Sequence, residues 1–210
     1  MSFEELLWQS FGDKRSNNDA VVVCRSNKRA NMFNQAIRSR VLQEEGELSA
    51  GEKLMIVKNN YYWCQQVNET TRQQDNQFSD SQVLRFSDSQ ILIPFLANGD
   101  MVEVMRINKI EEMYGFHFAD VDIQMMDYEE MPALSVKIIL ETLHSDSPAL
   151  TPEESKKLYQ AVEEDYMDIP RASDRRKLMK ENPYFNALQV KYGYALTCHK
   201  TQGGQWKNVF

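Results

Sequence analysis

The chain has 210 residues, room for one large domain or two small ones, and the composition of a globular protein. Its longest apolar run, 91–97, contains Pro94 and falls far short of the roughly 20 residues a spanning helix needs. Glu4 and Glu5 stand where a signal peptide is basic, so no membrane partner and a cytoplasmic location are expected.

The net charge is −7, from 31 acidic and 24 basic residues, but it is unevenly spread. Between 20 and 43 there is no acid, and Arg25, Lys28, Arg29, Arg38 and Arg40 contribute +5. Between 182 and 210 there is again none, and Lys191, Lys200 and Lys207 contribute +3, which leaves 16 basic against 31 acidic residues elsewhere. Two basic stretches on an acidic body are able to form one local phosphate-binding site. Cys24, Cys64 and Cys198 are odd in number and scattered, so neither a disulfide framework nor a zinc site follows.

Phe3, Leu6, Leu7 and Phe11 recur at helical spacing and Gly12 offers a stop, which predicts a short amphipathic helix over 3–11. After a polar turn at 14–19, Ala20-Val21-Val22-Val23-Cys24 is a continuous run suited to a strand buried on both faces of a parallel sheet. Ser26 or Asn27 then caps a helix whose apolar positions are Ala30, Phe33, Ile37 and Val41. Strand, polar turn and helix make half of a βαβ unit. The turn lies at the carboxyl end of the strand, where open α/β sheets bind ligands.

Residues 51–60 alternate as a strand after Ser49-Ala50-Gly51 and are expected to pair with 95–104, where Asn98-Gly99 makes a tight turn. Between them, 65–90 is polar and holds a repeat. Phe78-Ser79-Asp80-Ser81-Gln82-Val83-Leu84 recurs as Phe86-Ser87-Asp88-Ser89-Gln90-Ile91-Leu92. Two copies are too few for a solenoid, and a mobile excursion is expected. Strand-like runs at 104–107, 114–119, 121–125 and 134–140 suit a small barrel. His117 faces away from Phe116 and Phe118 and reads as a surface histidine rather than a metal ligand. Thr151-Pro152-Glu153-Glu154 is a capping box opening a helix to about 166, and Ser173-Asp174 opens a second that ends near Asn182-Pro183.

The last stretch is Tyr192-Gly193-Tyr194-Ala195-Leu196-Thr197-Cys198-His199-Lys200-Thr201-Gln202-Gly203-Gly204-Gln205-Trp206. Residues 192–196 alternate as a half-buried strand, and a polar turn follows with a hydroxyl, an imidazole, an ammonium, an amide and two glycines. A polar strand-to-helix loop is the plain reading, and a phosphate-holding turn the sharper one. Residues 206–210 then start what reads as another buried strand, within which the chain stops, so a fragment of a longer protein is expected.

The order Tyr194-Ala195-Leu196-Thr197-x-His199-Lys200-x-Gln202-Gly203 resembles the motif Y-A-x-T-x-H-K-x-Q-G of superfamily 1 DNA helicases of the RecD and Dda type. Gly51-Glu52-Lys53-Leu54-Met55, followed by Asn59-Asn60, resembles the strand that opens their SH3-like barrel. Ser26-Asn27 and the helix behind them resemble their motif IV. The resemblance implies an α/β fold with an inserted β-barrel, a partial RecA-like second motor domain. Its parts would be motif IV at 1–48, an SH3-like barrel at 49–145, a helical insertion at 146–183 and the returning RecA-like part at 184–210.

By the same resemblance Ser26, Thr197, His199 and Lys200 face the DNA backbone. Asn27, Arg29, Gly203 and Gln205 lie near the nucleotide, and Gln202 couples nucleotide state to DNA grip. Family members often carry Glu where Gln205 stands, so sugar recognition loses a charge here. The implied cofactors are ATP and Mg in the full-length protein, none held by this chain alone. The implied partners are single-stranded DNA, an N-terminal motor domain and other exonuclease-complex subunits. The phosphate cradle Gly-x-x-x-x-Gly-Lys-[Ser/Thr] is absent, since no pair of the eight glycines has that spacing and sequel. A non-catalytic nucleic-acid or protein-binding module built on the barrel stays open as an alternative. A metal nuclease ranks last, because no acidic or histidine cluster has metal spacing.

Overall fold

A computed structural model describes residues 3–12, 20–64, 95–128 and 131–210. The polar turn at 14–19 and the 65–90 excursion with its repeat lie outside the described residues. Two sheets organise the rest. Helix α1 (Phe3–Phe11) precedes β1 (Ala20–Cys24), and α2 (Asn27–Ala36) follows it, running into a π-helical turn over Ile37–Leu42. Strands β2 (Lys53–Ile56), β3 (Met101–Met113), β4 (Phe116–Met125) and β5 (Leu134–Ile139) come next. The short helix α3 (Glu141–His144), α4 (Pro152–Glu164) and α5 (Ala172–Glu181) lead to β6 (Leu188–Tyr192), β7 (Ala195–Thr197) and β8 (Asn208–Val209).

Strands β2 to β6 close into a five-stranded barrel, shut by the antiparallel pairing of Leu54 with Tyr192 and Ile56 with Val190. Its interior is filled by branched aliphatic residues: Leu54, Ile56, Val102, Val104, Val121, Ile123, Ile138 and Val190 have no exposed surface. The second sheet is parallel, in the order β7-β1-β8. The β-branched run at β1 takes its central place, as a strand buried on both faces should. No helix among the described residues is long and apolar enough to cross a membrane.

Several boundaries differ from the sequence expectations. The alternation over 192–196 is not one strand. It is the end of β6 and the start of β7, in different sheets, joined at Gly193-Tyr194. The alternation persists across the junction because both halves are buried, Tyr192 and Tyr194 at 1% exposure each. Consequently the barrel reaches beyond 49–145, since its closing strand comes from 188–192.

The runs at 104–107, 114–119 and 121–125 are two long strands, with Tyr114 and Gly115 forming the turn rather than a strand start. Charged residues such as Lys109 and Glu112, both exposed, break the apolar pattern of β3 and hide its length. Strand β8 is a two-residue sheet edge with Val209 60% exposed, not a buried run. The helices lie where expected, but the last starts at Ala172 with Arg171 as an N-cap that makes no side-chain bond, so Ser173-Asp174 does not open it, and the helix behind Ser26 turns π-helical from Ile37. The capping box is complete, with Glu154 N donating to Thr151 Oγ1 at 3.2 Å and Thr151 N donating to Glu154 Oε2 at 2.8 Å. His117 is a surface residue paired with Glu141 at 3.1 Å, while Phe116 and Phe118 are buried.

Candidate nucleic-acid interface

Strands β1 and β7 are parallel neighbours, with Cys24 opposite Thr197. The residues that follow each strand therefore emerge at one edge, 25–27 from β1 and 198–200 from β7. The two turns are tied together, because Cys198 N donates to Cys24 O at 3.0 Å and its thiol approaches the same oxygen at 3.4 Å. Burial pushes the Cys24 thiol above its ordinary range, opposed by the nearby Arg29. Ser26 is the N-cap of α2, and its Oγ accepts from Arg29 N at 3.4 Å. This fixes the start of the helix and leaves Arg25, Lys28 and Arg29 exposed.

On the β7 side, Thr197 is buried and its Oγ1 lies 3.3 Å from His199 Nε2. The exposed imidazole is thereby held against the strand end. Lys200 N donates to Thr197 O at 2.8 Å, and its Nζ donates to Asn98 Oδ1 on the β2–β3 turn of the barrel. Partial burial pulls the Lys200 ammonium below its ordinary pKa. A narrow cleft of ≈ 30 Å³ lies between α2, β7 and the barrel, lined among others by Asn27, Asn31, Lys191, Thr197 and Lys200. Its other walls are apolar, Met55, Val57, Pro148 and Leu196 among them, so the polar groups that a phosphodiester would meet lie at its rim, on the 25–27 and 198–200 turns.

Six of the sequence-predicted residues thus meet at this edge: Ser26, Asn27, Arg29, Thr197, His199 and Lys200. Gln202, Gly203 and Gln205 continue on an exposed turn beyond it. That turn is held by Thr201 Oγ1 donating to Cys198 O at 2.8 Å and Gly204 N donating to Thr201 O at 3.2 Å. The two acid-free stretches do share one surface, but not all their cations reach it. Arg38 is turned inward, paired with buried Glu52 and 4.3 Å from the Tyr192 ring centre. Lys191 is 6% exposed, donates to Ser145 O, and is pushed down to about 8 by burial, with Asp146 opposing the shift.

Sequence reasoning missed the residue that holds this arrangement. Asn34, 2% exposed, donates to Tyr192 O at 3.1 Å and Ala195 O at 3.0 Å, and accepts from Ala195 N at 2.7 Å. It clamps the passage from barrel to parallel sheet at Gly193-Tyr194. A signal was available. Asn34 occupies the apolar stripe of α2 between Ala30 and Ile37, and a polar residue there is a buried one with partners. No signal marked Asn98 as the partner of Lys200, since that contact joins residues 102 positions apart. In comparisons with known proteins, no family model matches the chain and no curated protein matches it.

Proposed function

We propose that the chain is the C-terminal part of an ATP-dependent DNA helicase of the RecD type, acting in DNA repair or recombination. In this reading it is a partial RecA-like second motor domain carrying an SH3-like barrel. The supporting observation is the meeting of the two acid-free stretches at the carboxyl ends of β1 and β7, the edge at which α/β sheets take ligands. Ser26, Thr197, His199 and Lys200 grip the DNA backbone. Asn27, Arg29, Gly203 and Gln205 face one side of the nucleotide, and Gln202 links nucleotide state to grip.

The polar groups of the exposed 202–205 turn suit one wall of a nucleotide site and no more. ATP supplies the energy of unwinding when bound, and its phosphate cradle and Mg ligands come from an N-terminal motor domain. Within this chain, the tie between the two turns through Cys198 and Cys24 makes a shift at 202–203 felt at Thr197 and Ser26.

Anisotropy of a labelled oligothymidylate with this chain, titrated with salt, tests the backbone grip. Binding that weakens with salt is expected, and Lys200→Ala should make the log–log slope shallower by about 0.7, one single-strand phosphate contact. No binding at low salt would refute the grip. ATPase activity of the longer protein, with and without single-stranded DNA, tests the motor, and stimulation should be lost in Gln202→Ala. DNA binding without stimulated turnover would leave the non-catalytic barrel module as the reading.

A further inference from the structure

The Asn98 contact carries the candidate interface onto the barrel. Lys200 Nζ donates to Asn98 Oδ1, and Asn98 N donates to Asn59 Oδ1 at 2.7 Å, so the β7 turn and the two barrel loops form one continuous polar strip. Just beyond it, Asn60 pairs with Leu96 in an isolated antiparallel bridge. That bridge sets Tyr61 against Phe95, with ring centres 4.7 Å apart and planes at 32°. Phe95 lies three residues from Asn98, at most about 11 Å along the chain.

Tyr61 differs from its aromatic neighbours. Tyr62 donates to Glu181 O at 3.0 Å and Trp63 Nε1 to Asn186 O at 2.9 Å, so both are committed to the end of α5 and the turn after it. Tyr61 is 54% exposed, and its hydroxyl has no hydrogen bond among the described residues. Its ring packs against Phe95 and keeps about half of the residue's surface exposed among the described residues. Lys58 is exposed on the same loop, and a recess of ≈ 220 Å³ beside it is lined by Tyr61, Ser155, Phe185 and Gln189. Asp100, the acid of the neighbouring turn, has its carboxylate bound to Ala97 N at 2.7 Å.

We propose that the 58–61 and 95–98 loops form a base-stacking platform for single-stranded nucleic acid, with Tyr61 as the ring that receives a base. An open π-face beside cations that track a backbone is how sequence-tolerant strand binding is built. The platform rests on the nucleic-acid reading above and extends it. The strand lies along His199 and Lys200, crosses the Asn98–Asn59 contact, and stacks a base on Tyr61.

The test is oligothymidylate binding by wild type, Tyr61→Leu and Lys200→Ala across a salt series. Tyr61→Leu keeps apolar bulk and removes the π-face, and it should weaken binding roughly tenfold with an unchanged salt slope. Lys200→Ala should weaken binding and flatten the slope. Wild-type affinity in Tyr61→Leu overturns the platform and leaves the backbone grip intact. A loss in Tyr61→Leu accompanied by a flatter slope also overturns it, because Tyr61 would then act only through the Lys200 contact. No binding by wild type overturns grip and platform together.

Discussion

Replacing Asn34 by Ala should unfasten the barrel from the parallel sheet. The side chain makes three hydrogen bonds in a site only 2% exposed. Its amide orientation is not ambiguous, since Ala195 N must face an acceptor and the Tyr192 and Ala195 carbonyls must face a donor. Truncation leaves a buried Ala195 N–H without an acceptor, a loss of about 1–3 kcal/mol, and each carbonyl loses a bond worth about 0.5–1.5 kcal/mol. A net cost of about 3 kcal/mol follows. With a urea dependence of about 2 kcal/mol/M, the unfolding midpoint should fall by about 1.5 M. Asn34→Asp keeps the acceptor but sets a carboxylate oxygen against two carbonyls, so it should be at least as damaging. A midpoint shift below about 0.3 M for Asn34→Ala, or an Asn34→Asp protein as stable as wild type, would refute the clamp.

Three further outcomes are expected. Arg38→Met strands the Glu52 carboxylate, 1% exposed, and should cost about 3–5 kcal/mol in urea melts, whereas Arg38→Met with Glu52→Leu should recover most of that loss. Lys191 has a folded pKa of about 8 against an ordinary 10.5, so between those values the unfolded chain binds more protons and stability rises with pH. Wild type should therefore gain on the order of 2–3 kcal/mol relative to Lys191→Met from pH 8 to 10.5, read as the difference between their urea midpoints. Thr151→Ala removes the cap of α4 and should lower stability by about 1 kcal/mol, and wild-type stability in that variant would mean the box is solvent-replaced.

Local chemistry made much of the molecule legible. Ser26 and the Thr151–Glu154 box act within four residues of themselves, and the helices they open lie where the sequence places them. The continuous Val21-Val22-Val23 run is a central parallel strand because only such a strand is apolar on both sides. The grouping of Thr197, His199 and Lys200 was visible too, since neighbours in one turn share an edge wherever the turn goes.

Tertiary structure decided the rest, wherever a contact joins distant positions or burial reverses a residue's usual place. Period-2 alternation reports burial on one face and not which sheet supplies it, so 192–196 read as one strand while the chain changed sheets at Gly193. Charge counts cannot tell a solvated cation from a desolvated one, and Arg38 and Lys191 left the surface for partners at Glu52 and Ser145. The joining of β1 to β7, and of Lys200 to Asn98, depends on loop closures of 100 residues or more. By itself the sequence determined where most helices and the central parallel strand lie and which turn carries polar donors. Only the packing of barrel against sheet determined that two turns form one edge and that Asn98 of the barrel meets Lys200 there, because those relations arise from long-range pairing and no local pattern encodes them.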